Sequence, residues 1–339
     1  MKKILISFII VILLITGCKN NKEEKILKEL TKKVEHTKGY QIEGTLELVN
    51  NEDVYNYDVV VSYKKDDYYK VSLINKANNK EQIILRNDSG VYVVTPSLNK
   101  SFKFQSDWPN NNSQIYLLQS IVKDLNDDKN KTIEKKDNYY IYTSNVNYPN
   151  NENLKKQKVY IGDNGKLKQV EVVDKNNTVM MKLIYKDIDL KANFNKDKFD
   201  IDNLISEDEE KTETEDENKE KDQETTSLDD IIYPLYLPDG TKLTNEEVVK
   251  TDDGKRVILT FSGDKSFILV EETVAKEQEF TVIPTMGEPY MFTDTVGALS
   301  ETSLTFTSSD VDYYITSTTM SKTELLQIAK SISLVPTMK

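Results

Sequence analysis

Apolar residues recur at two different spacings along the chain, and the spacing predicts which segments are helices and which are strands. Between residues 22 and 38 they lie three and four positions apart, and Gly39 follows as a helix terminator. From residue 55 apolar and polar residues alternate instead, which is the period of a half-buried strand. The helix face consists of Ile26, Leu27, Leu30 and Val34, and the strand face of Tyr55, Tyr57, Val59, Val61 and Tyr63.

The same two patterns continue to about residue 205. The turn sequence at 87–90 separates strands predicted at 83–86 and 91–95, and further strands are predicted at 139–145, 157–162, 167–174 and 178–186. A second amphipathic helix is predicted over 113–125, with Ile115, Leu118, Ile121, Val122 and Leu125 on its apolar face. Because a long antiparallel meander curls to protect its edges, we expect the helices to cover its open side.

Residues 231–339 predict a second, smaller α+β domain. Strands are indicated at 257–261, 267–271, 290–293, 303–307 and 311–317. Ser321 and Glu324 form a capping box that begins a C-terminal helix. The two domains, 23–205 and 231–339, are joined by residues 206–230, whose net charge of −10 and lack of periodicity predict an extended, disordered linker.

The N-terminus predicts export and lipid attachment. Lys2 and Lys3 precede an apolar run of 12 residues that is too short to span a bilayer as a stable helix, so residues 1–17 are interpreted as a signal peptide. The run ends in residues 14–18, Leu-Ile-Thr-Gly-Cys, which resemble the bacterial lipobox. The resemblance implies cleavage between Gly17 and Cys18, diacylglycerol on the Cys18 thiol, a lipidated tether over 18–22 and the cytoplasmic membrane as a partner. The alternative is a short membrane helix with an incidental cysteine.

The composition limits the chemistry that the chain can perform. One cysteine excludes an internal disulfide, and any histidine-dependent site would have to use His36. The formal charge of −12 argues against nucleic-acid binding, and no phosphate-binding loop or nucleophile elbow is present. The sequence therefore predicts a protein that is not an enzyme and has no cofactor or metal, although abundant carboxylates leave glycoside hydrolysis open.

A family resemblance rests on two stretches of the first domain. Residues 84–87, Ile-Leu-Arg-Asn, and 105–109, Gln-Ser-Asp-Trp-Pro, with the helix after them, resemble the YdcC-type sporulation lipoproteins and, more distantly, the germination lipoprotein GerS. The order of helix, meander and turn before residues 91–96 is similar to the LolA/LolB lipoprotein-carrier superfamily. That resemblance implies an incomplete antiparallel β-barrel with a helical lid over an apolar cavity.

The candidate site is therefore the cavity and its lid. Its residues are Trp108, Phe102, Phe104 and the lid residues Ile115, Leu118, Ile121, Val122 and Leu125. Trp108 is interpreted as either a packed core residue or a rim residue that binds a partner. Carriers place an Arg-Pro pair at a lid-latch position where this chain has Lys65 and Asp66. Without that arginine we expect the lid to be either looser or permanently packed by its own side chains, and its five apolar residues favour permanent packing.

These observations predict a lipid-anchored protein on the extracytoplasmic face of the cell membrane. The leading function is binding of a protein partner or a lipid-like ligand during spore-envelope assembly. The alternatives are an accessory subunit of a cell-wall amidase, as in GerS, or a carrier of lipoproteins or lipids. The sporulation context comes from the family resemblance.

Overall fold

The computed structural model describes six parts of the chain: residues 22–50, 53–204, 231–251, 254–274, 279–292 and 294–332. The predicted signal peptide, Cys18 with its cleavage site, and the acidic linker lie outside the described residues. The described part forms two sheets, antiparallel except for one parallel pair of strands in the first, with three helices of eight or more residues.

The first domain begins with a helix and continues as a meander. Helix α1 spans Lys22–His36. Six strands follow: β1 (Gly39–Asn50), β2 (Asp53–Lys64), β3 (Tyr68–Asn75), β4 (Glu81–Asn87), β5 (Gly90–Thr95) and, after a 3₁₀ turn at Pro96–Leu98, β6 (Lys100–Phe104). Helix α2 (Leu118–Asp127) then precedes β7 (Thr132–Lys136), β8 (Tyr139–Asn145), β9 (Leu154–Gly162), β10 (Leu167–Asp174), β11 (Val179–Asp189) and a 3₁₀ turn at Lys196–Phe199.

These strands form one open sheet that does not close into a barrel. Its order is β6-β5-β4-β3-β2-β1-β11-β10-β9-β8-β7, so the two halves of the meander meet where β1 pairs with β11. A bulge lies there between Glu43 and Gly44, and a Cβ on Gly44 would lie 2.6 Å from the carbonyl oxygen of Ile184. Both helices pack on the inner face of this sheet, which confirms the predicted α+β class.

The lid helix begins later than its sequence predicts. Residues 113–117 are irregular and α2 starts at Leu118. The backbone N–H of Ser113 donates to the carbonyl oxygen of Asn147 (2.8 Å), and the N–H of Gln114 donates to the Ser120 hydroxyl (2.7 Å). The Ser113 bond ties the start of this segment to the β8–β9 loop, and the Gln114 bond ties it to the first turn of α2.

The second domain forms a seven-stranded sheet with one helix on its inner face. Its strands are β12 (Lys242–Thr251), β13 (Gly254–Ser262), β14 (Phe267–Thr273), β16 (Glu288–Phe292), β17 (Thr295–Leu299), β18 (Ser303–Ser308) and β19 (Val311–Thr316), in the order β12-β13-β14-β19-β18-β17-β16. Helix α3 (Lys322–Ile332) follows. The capping box is confirmed, because the N–H of Ser321 donates to the Glu324 carboxylate (2.8 Å) and the N–H of Glu324 to the Ser321 hydroxyl (3.3 Å).

One strand of the second domain belongs to the first sheet. Strand β15 (Thr281–Thr285) pairs in parallel with β6 and becomes the twelfth strand at that edge. Lys100 on β6 forms an ion pair with Asp312 on β19 at 2.7 Å, and both side chains are mostly buried. The side chains of Val296 and Ala298 join the apolar core of the first domain. The second domain therefore covers one end of the inner face of the first sheet.

Candidate ligand cavity and its lid

The centre of the inner face is filled by the chain's own side chains. All five predicted lid residues are buried, with exposures between 0 and 4%, and Trp108 is 1% exposed. They share one apolar cluster with α1 and with strands from both halves of the sheet. Phe104 belongs to the same cluster, whereas Phe102 is partly buried and packs against it. The structure thus places these predicted site residues together, as a packed core.

Tyrosine rings form a row across the inner face that ends on Trp108. The register pairs Tyr40 with Tyr63 and Tyr63 with Tyr69 on neighbouring strands. Their ring centroids are 4.9 and 5.0 Å apart, and Trp108 meets Tyr69 edge-on at 5.9 Å. Aromatic pairs at these distances stabilise a core beyond the area that they bury. The row therefore anchors the Trp108 segment to three strands.

Polar contacts also hold the lid to the sheet, among them a buried hydrogen bond of 3.2 Å from Nε2 of Gln157 on β9 to the carbonyl oxygen of Ile121 on α2. The Tyr40 hydroxyl donates to Oε1 of Gln119 on α2 at 2.8 Å, and Arg86 on β4 donates through Nη1 to the carbonyl oxygen of Trp108. Lys65, the position expected from the carriers, lies exposed in the β2–β3 turn, where its backbone N–H donates to the Lys38 carbonyl oxygen at 2.9 Å. The sequence offered one signal for Arg86: it is one of only two arginines in the chain.

A cavity of about 660 Å³ remains at the other end of the inner face. It lies between α1, the start of α2, the β9–β10 turn and the end of β11. Its apolar wall consists of Leu30, Leu118, Leu167, Tyr185, Ile188 and Leu190. Tyr185 is 4% exposed, and its hydroxyl has no hydrogen-bond partner among the described residues. Burial also raises the pKa of Tyr185, so this hydroxyl stays neutral and can donate.

The rim of the cavity carries more lysines than carboxylates. Lys33, Lys166, Lys168 and Lys186 line it together with Asp163 and Asp187. Lys186 is paired with Asp58 at 2.9 Å, and Asp163 is paired with Lys22 and Lys135. Within the described part of the chain, no ion pair involves Lys33, Lys166 or Lys168. A ligand with an anionic group would find these ammonium groups at the mouth of an apolar cavity.

Other chemistry-bearing residues do not converge on a site. His36 lies exposed on α1 with Nδ1 2.8 Å from the Lys32 carbonyl oxygen. No three His, Cys, Asp or Glu residues among those described are grouped so that they could hold a metal ion. A search of the same residues finds no helix with the length and apolarity needed to cross a membrane.

Comparison with known proteins identifies the family. The family model described as "Sporulation protein YdcC-like" matches residues 1–199. Sporulation protein YdcC of Bacillus subtilis (strain 168) is 34% identical over 339 residues, which cover 98% of each chain. The chain belongs to the YdcC-like family. The resemblance predicted from the sequence is thereby confirmed over almost the whole chain.

Solved structures also match this YdcC-like chain, at low sequence identity and low TM-score. A chain of the structure of the CwlD amidase from Clostridioides difficile in complex with the GerS lipoprotein matches at 19% identity, over 53% of this chain and 100% of that chain, with a TM-score of 0.30. The LolA superfamily protein NE2245 of Nitrosomonas europaea matches at 14% identity, over 53% of this chain and 97% of that protein's chain, with a TM-score of 0.30. A chain of the Pseudomonas aeruginosa MucA/MucB complex matches at 11% identity, over 91% of this chain and 96% of that chain, with a TM-score of 0.31.

Proposed function

We propose that this protein is a lipid-anchored, extracytoplasmic binding protein of sporulation, which holds an anionic amphiphile in the cavity between α1 and β11. The sporulation role follows from membership of the YdcC-like family. The observation that carries the ligand class is the cavity of about 660 Å³, with an apolar wall and three rim lysines, Lys33, Lys166 and Lys168, that form no ion pair with any described residue. Cavities that bind small ligands typically have 300–1,000 Å³ and a few polar groups that orient the ligand.

The filled centre limits the size of the ligand. The resemblance to the carriers implies a lid over an apolar cavity, whereas here α2 and Trp108 are buried and tied to the sheet through Gln119 and Arg86. A single acyl chain fits the remaining space better than the acylated end of a lipoprotein. Each CH₂ group that it buries contributes about 0.8 kcal/mol. We therefore propose a receptor for one short or single-chain amphiphile.

The test is titration of the full chain with a dansyl-labelled fatty acid. We expect saturable binding that Ile188→Trp abolishes, since the larger side chain occupies the partly buried wall of the cavity. The double variant Lys166→Glu/Lys168→Glu should weaken binding of the fatty acid about tenfold or more but leave binding of a neutral dansyl-labelled alcohol unchanged. Ile268→Trp, on the exposed face of β14, is the matched control. Equal binding by the wild type and Ile188→Trp would contradict the proposal.

Membrane attachment is tested separately at Cys18. Cys18→Ala removes the thiol that would carry diacylglycerol, so the chain should remain uncleaved or leave the membrane fraction. Processing and membrane binding that match the wild type would contradict the lipid anchor while leaving the cavity proposal intact.

A protein partner is the second candidate function. It is favoured by the same filled centre. Because the lid is packed by the chain's own side chains, a protein partner would have to bind on the outer surfaces of the domains. A cell-wall amidase is the partner class that the sequence resemblance to GerS suggests. Copurification of an amidase from sporulating cells, combined with no binding of the dansyl probe, would favour this function over the amphiphile receptor.

A further inference from the structure

The outer strand of the second sheet is long and exposed. Among the described residues, strand β12 pairs only with β13, and it ends the order of the seven-stranded sheet. Nine of its ten residues, 242–250, are exposed. An edge strand of this length presents a row of unpaired N–H and C=O groups, which favours pairing with another strand unless the edge is protected.

Apolar side chains make this edge unusual. Leu243, Val248 and Val249 are 38%, 52% and 37% exposed. The register places Val248 opposite Val257 and Leu243 opposite Phe261, both of which are buried on the inner face of the sheet. Helix α3 contacts β18 and β19 and leaves the inner side of β12 uncovered. The inner face of the sheet therefore continues onto β12 without a cover.

Neighbouring residues enlarge the apolar surface. Tyr233, Leu235 and Tyr236, in the segment before β12, are 44%, 68% and 41% exposed. The Tyr233 hydroxyl donates to the Glu246 carboxylate at 2.7 Å, which places this ring beside the inner face of β12. We name the inner side of β12 and these three residues the edge patch.

We propose that β12 pairs antiparallel with β12 of a second copy of this chain, about a two-fold axis at Val248. The axis must be perpendicular to the sheet, so residues opposite each other share one face and their numbers differ by an even amount. In the register centred on Val248, Glu246 lies opposite Lys250 of the second copy, and Lys250 opposite Glu246. Two ion pairs therefore flank a Val248–Val248 contact.

Charge complementarity selects this register over its neighbours. An axis at Glu247 would place Glu247 against itself, and an axis at Lys250 would place Lys250 against itself. An axis at Val249 would place Val248 opposite Lys250, so neither Glu246 nor Lys250 would face a residue of opposite charge. Opposite charges across strands stabilise a sheet and like charges destabilise it. The Val248 register gives both Glu246 and Lys250 a partner of opposite charge, which none of these neighbouring registers does. It also brings the edge patches of the two copies together on one face.

The test is the molecular mass of the full chain in detergent, measured by sedimentation across a range of concentrations. We expect a dimer for the wild type. Glu246→Lys and Lys250→Glu should each raise the dissociation constant at least tenfold, whereas the double variant Glu246→Lys/Lys250→Glu should restore the wild-type value. Glu247→Lys is the matched control, because the same charge change faces Val249 on the opposite side and should leave the dimer intact.

A cross-link tests the axis independently of the ion pairs. Val248→Cys places a thiol against its own copy, so oxidation should give a disulfide-linked dimer on a non-reducing gel. Ile268→Cys, exposed on the outer face of β14, is the control, and the wild type with Cys18 alone gives the background. A monomeric wild type without the Val248→Cys cross-link, or a double variant that fails to recover, would overturn the proposal.

Discussion

The inner faces of the two sheets are closed in different ways. In the first domain, aromatic rings and lid residues fill the centre, and the main polar ties are Tyr40 to Gln119 and Arg86 to the Trp108 carbonyl oxygen. In the second domain, a carboxylate lies inside the core. Glu271 on β14 is 0% exposed, its Oε2 accepts the Ile232 N–H at 3.1 Å, and its Oε1 has no partner among the described residues.

This difference indicates which change lowers the stability of each domain most: a loss of packing or a change of pH. Burial raises the pKa of Glu271 to about 7, so its charge changes near neutral pH inside an apolar cluster. In the first domain, Asp124 on α2 is half-buried and accepts a hydrogen bond from the Ser113 hydroxyl at 2.7 Å. Burial raises the pKa of this carboxylate to about 6. We expect packing to dominate the stability of the first domain and pH to act most strongly on the second.

The largest expected effect separates the filled centre from the cavity. Leu125→Ala removes a lid side chain that is 0% exposed, so it should lower the free energy of unfolding by about 2–5 kcal/mol. Leu190→Ala truncates a partly buried side chain on the cavity wall and should cost less than about 1.5 kcal/mol, because it enlarges existing space. Fluorescence of Trp108, the only tryptophan, during urea unfolding reports the first domain.

Equal losses from Leu125→Ala and Leu190→Ala would contradict this distinction. They would mean that the cavity end is as tightly packed in solution as the centre. The amphiphile proposal would then lose the open space on which it depends.

The second prediction concerns the pH dependence of the second domain. Because the pKa of Glu271 is raised from about 4.5 to about 7 by burial, the folded state binds more protons than the unfolded state between these values. The free energy of unfolding should therefore fall as pH rises through this window. Glu271→Gln should remove that fall and stabilise the protein at pH 8 by about 1–3 kcal/mol.

Circular dichroism of both domains measures this change, with Asp124→Asn as the matched control in the first domain. Asp124→Asn should shift the pH dependence seen by Trp108 fluorescence, in the window below about 6. A pH profile of Glu271→Gln that superimposes on the wild type would show that Glu271 is not buried in solution as described.

Periodicity in the sequence was sufficient for most of the fold. The strands predicted at 139–145 and 167–174 have the observed bounds, and the predicted inner face of α1 is buried. The segment before α2 was predicted as helix because its apolar spacing is helical. In the structure it is irregular, with Ser113 bonded to the β8–β9 loop and Gln114 bonded to Ser120 on α2. Strand β12 gave no signal, because exposure on both faces removes the alternation on which strand prediction depends.

The candidate site was predicted in part. The apolar lid residues could be named from their spacing, since burial follows apolar periodicity. The cavity could not, because it is space left between α1, a turn and β11, and these elements are far apart in sequence. Arg86 was missed because the latch was sought at the carrier position, Lys65, whereas a bond to a backbone carbonyl leaves no pattern in the sequence.

The third prediction compares these two positions. Arg86→Met keeps most of the aliphatic chain but leaves the buried Trp108 segment with an unpaired carbonyl oxygen, so it should cost about 1–3 kcal/mol. Lys65→Met, exposed in its turn, should change the free energy of unfolding by less than about 0.5 kcal/mol. Urea unfolding followed by Trp108 fluorescence measures both. A larger loss from Lys65→Met would instead place the latch at the carrier position.

The smallest expected effect concerns the contacts between the two domains, which we call the joint. Strand β15 extends the first sheet, and the Lys100–Asp312 ion pair (2.7 Å) crosses the same joint. Partly buried pairs of this kind are expected to contribute on the order of 1 kcal/mol. A double-mutant cycle with Lys100→Met and Asp312→Asn should give a coupling energy of this size. Lys123→Met with Asp127→Asn, an exposed pair within α2, is the control and should give less.

The joint also predicts how the domains unfold. In the wild type, Trp108 fluorescence and circular dichroism should report coincident transitions, because β15 must leave the first sheet before the second domain can unfold. Lys100→Met should move the two transitions apart, with the pH-sensitive second domain unfolding first at pH 8. Separate transitions already present in the wild type would mean that the domains are energetically independent. The difference between their inner faces would then act on each domain alone.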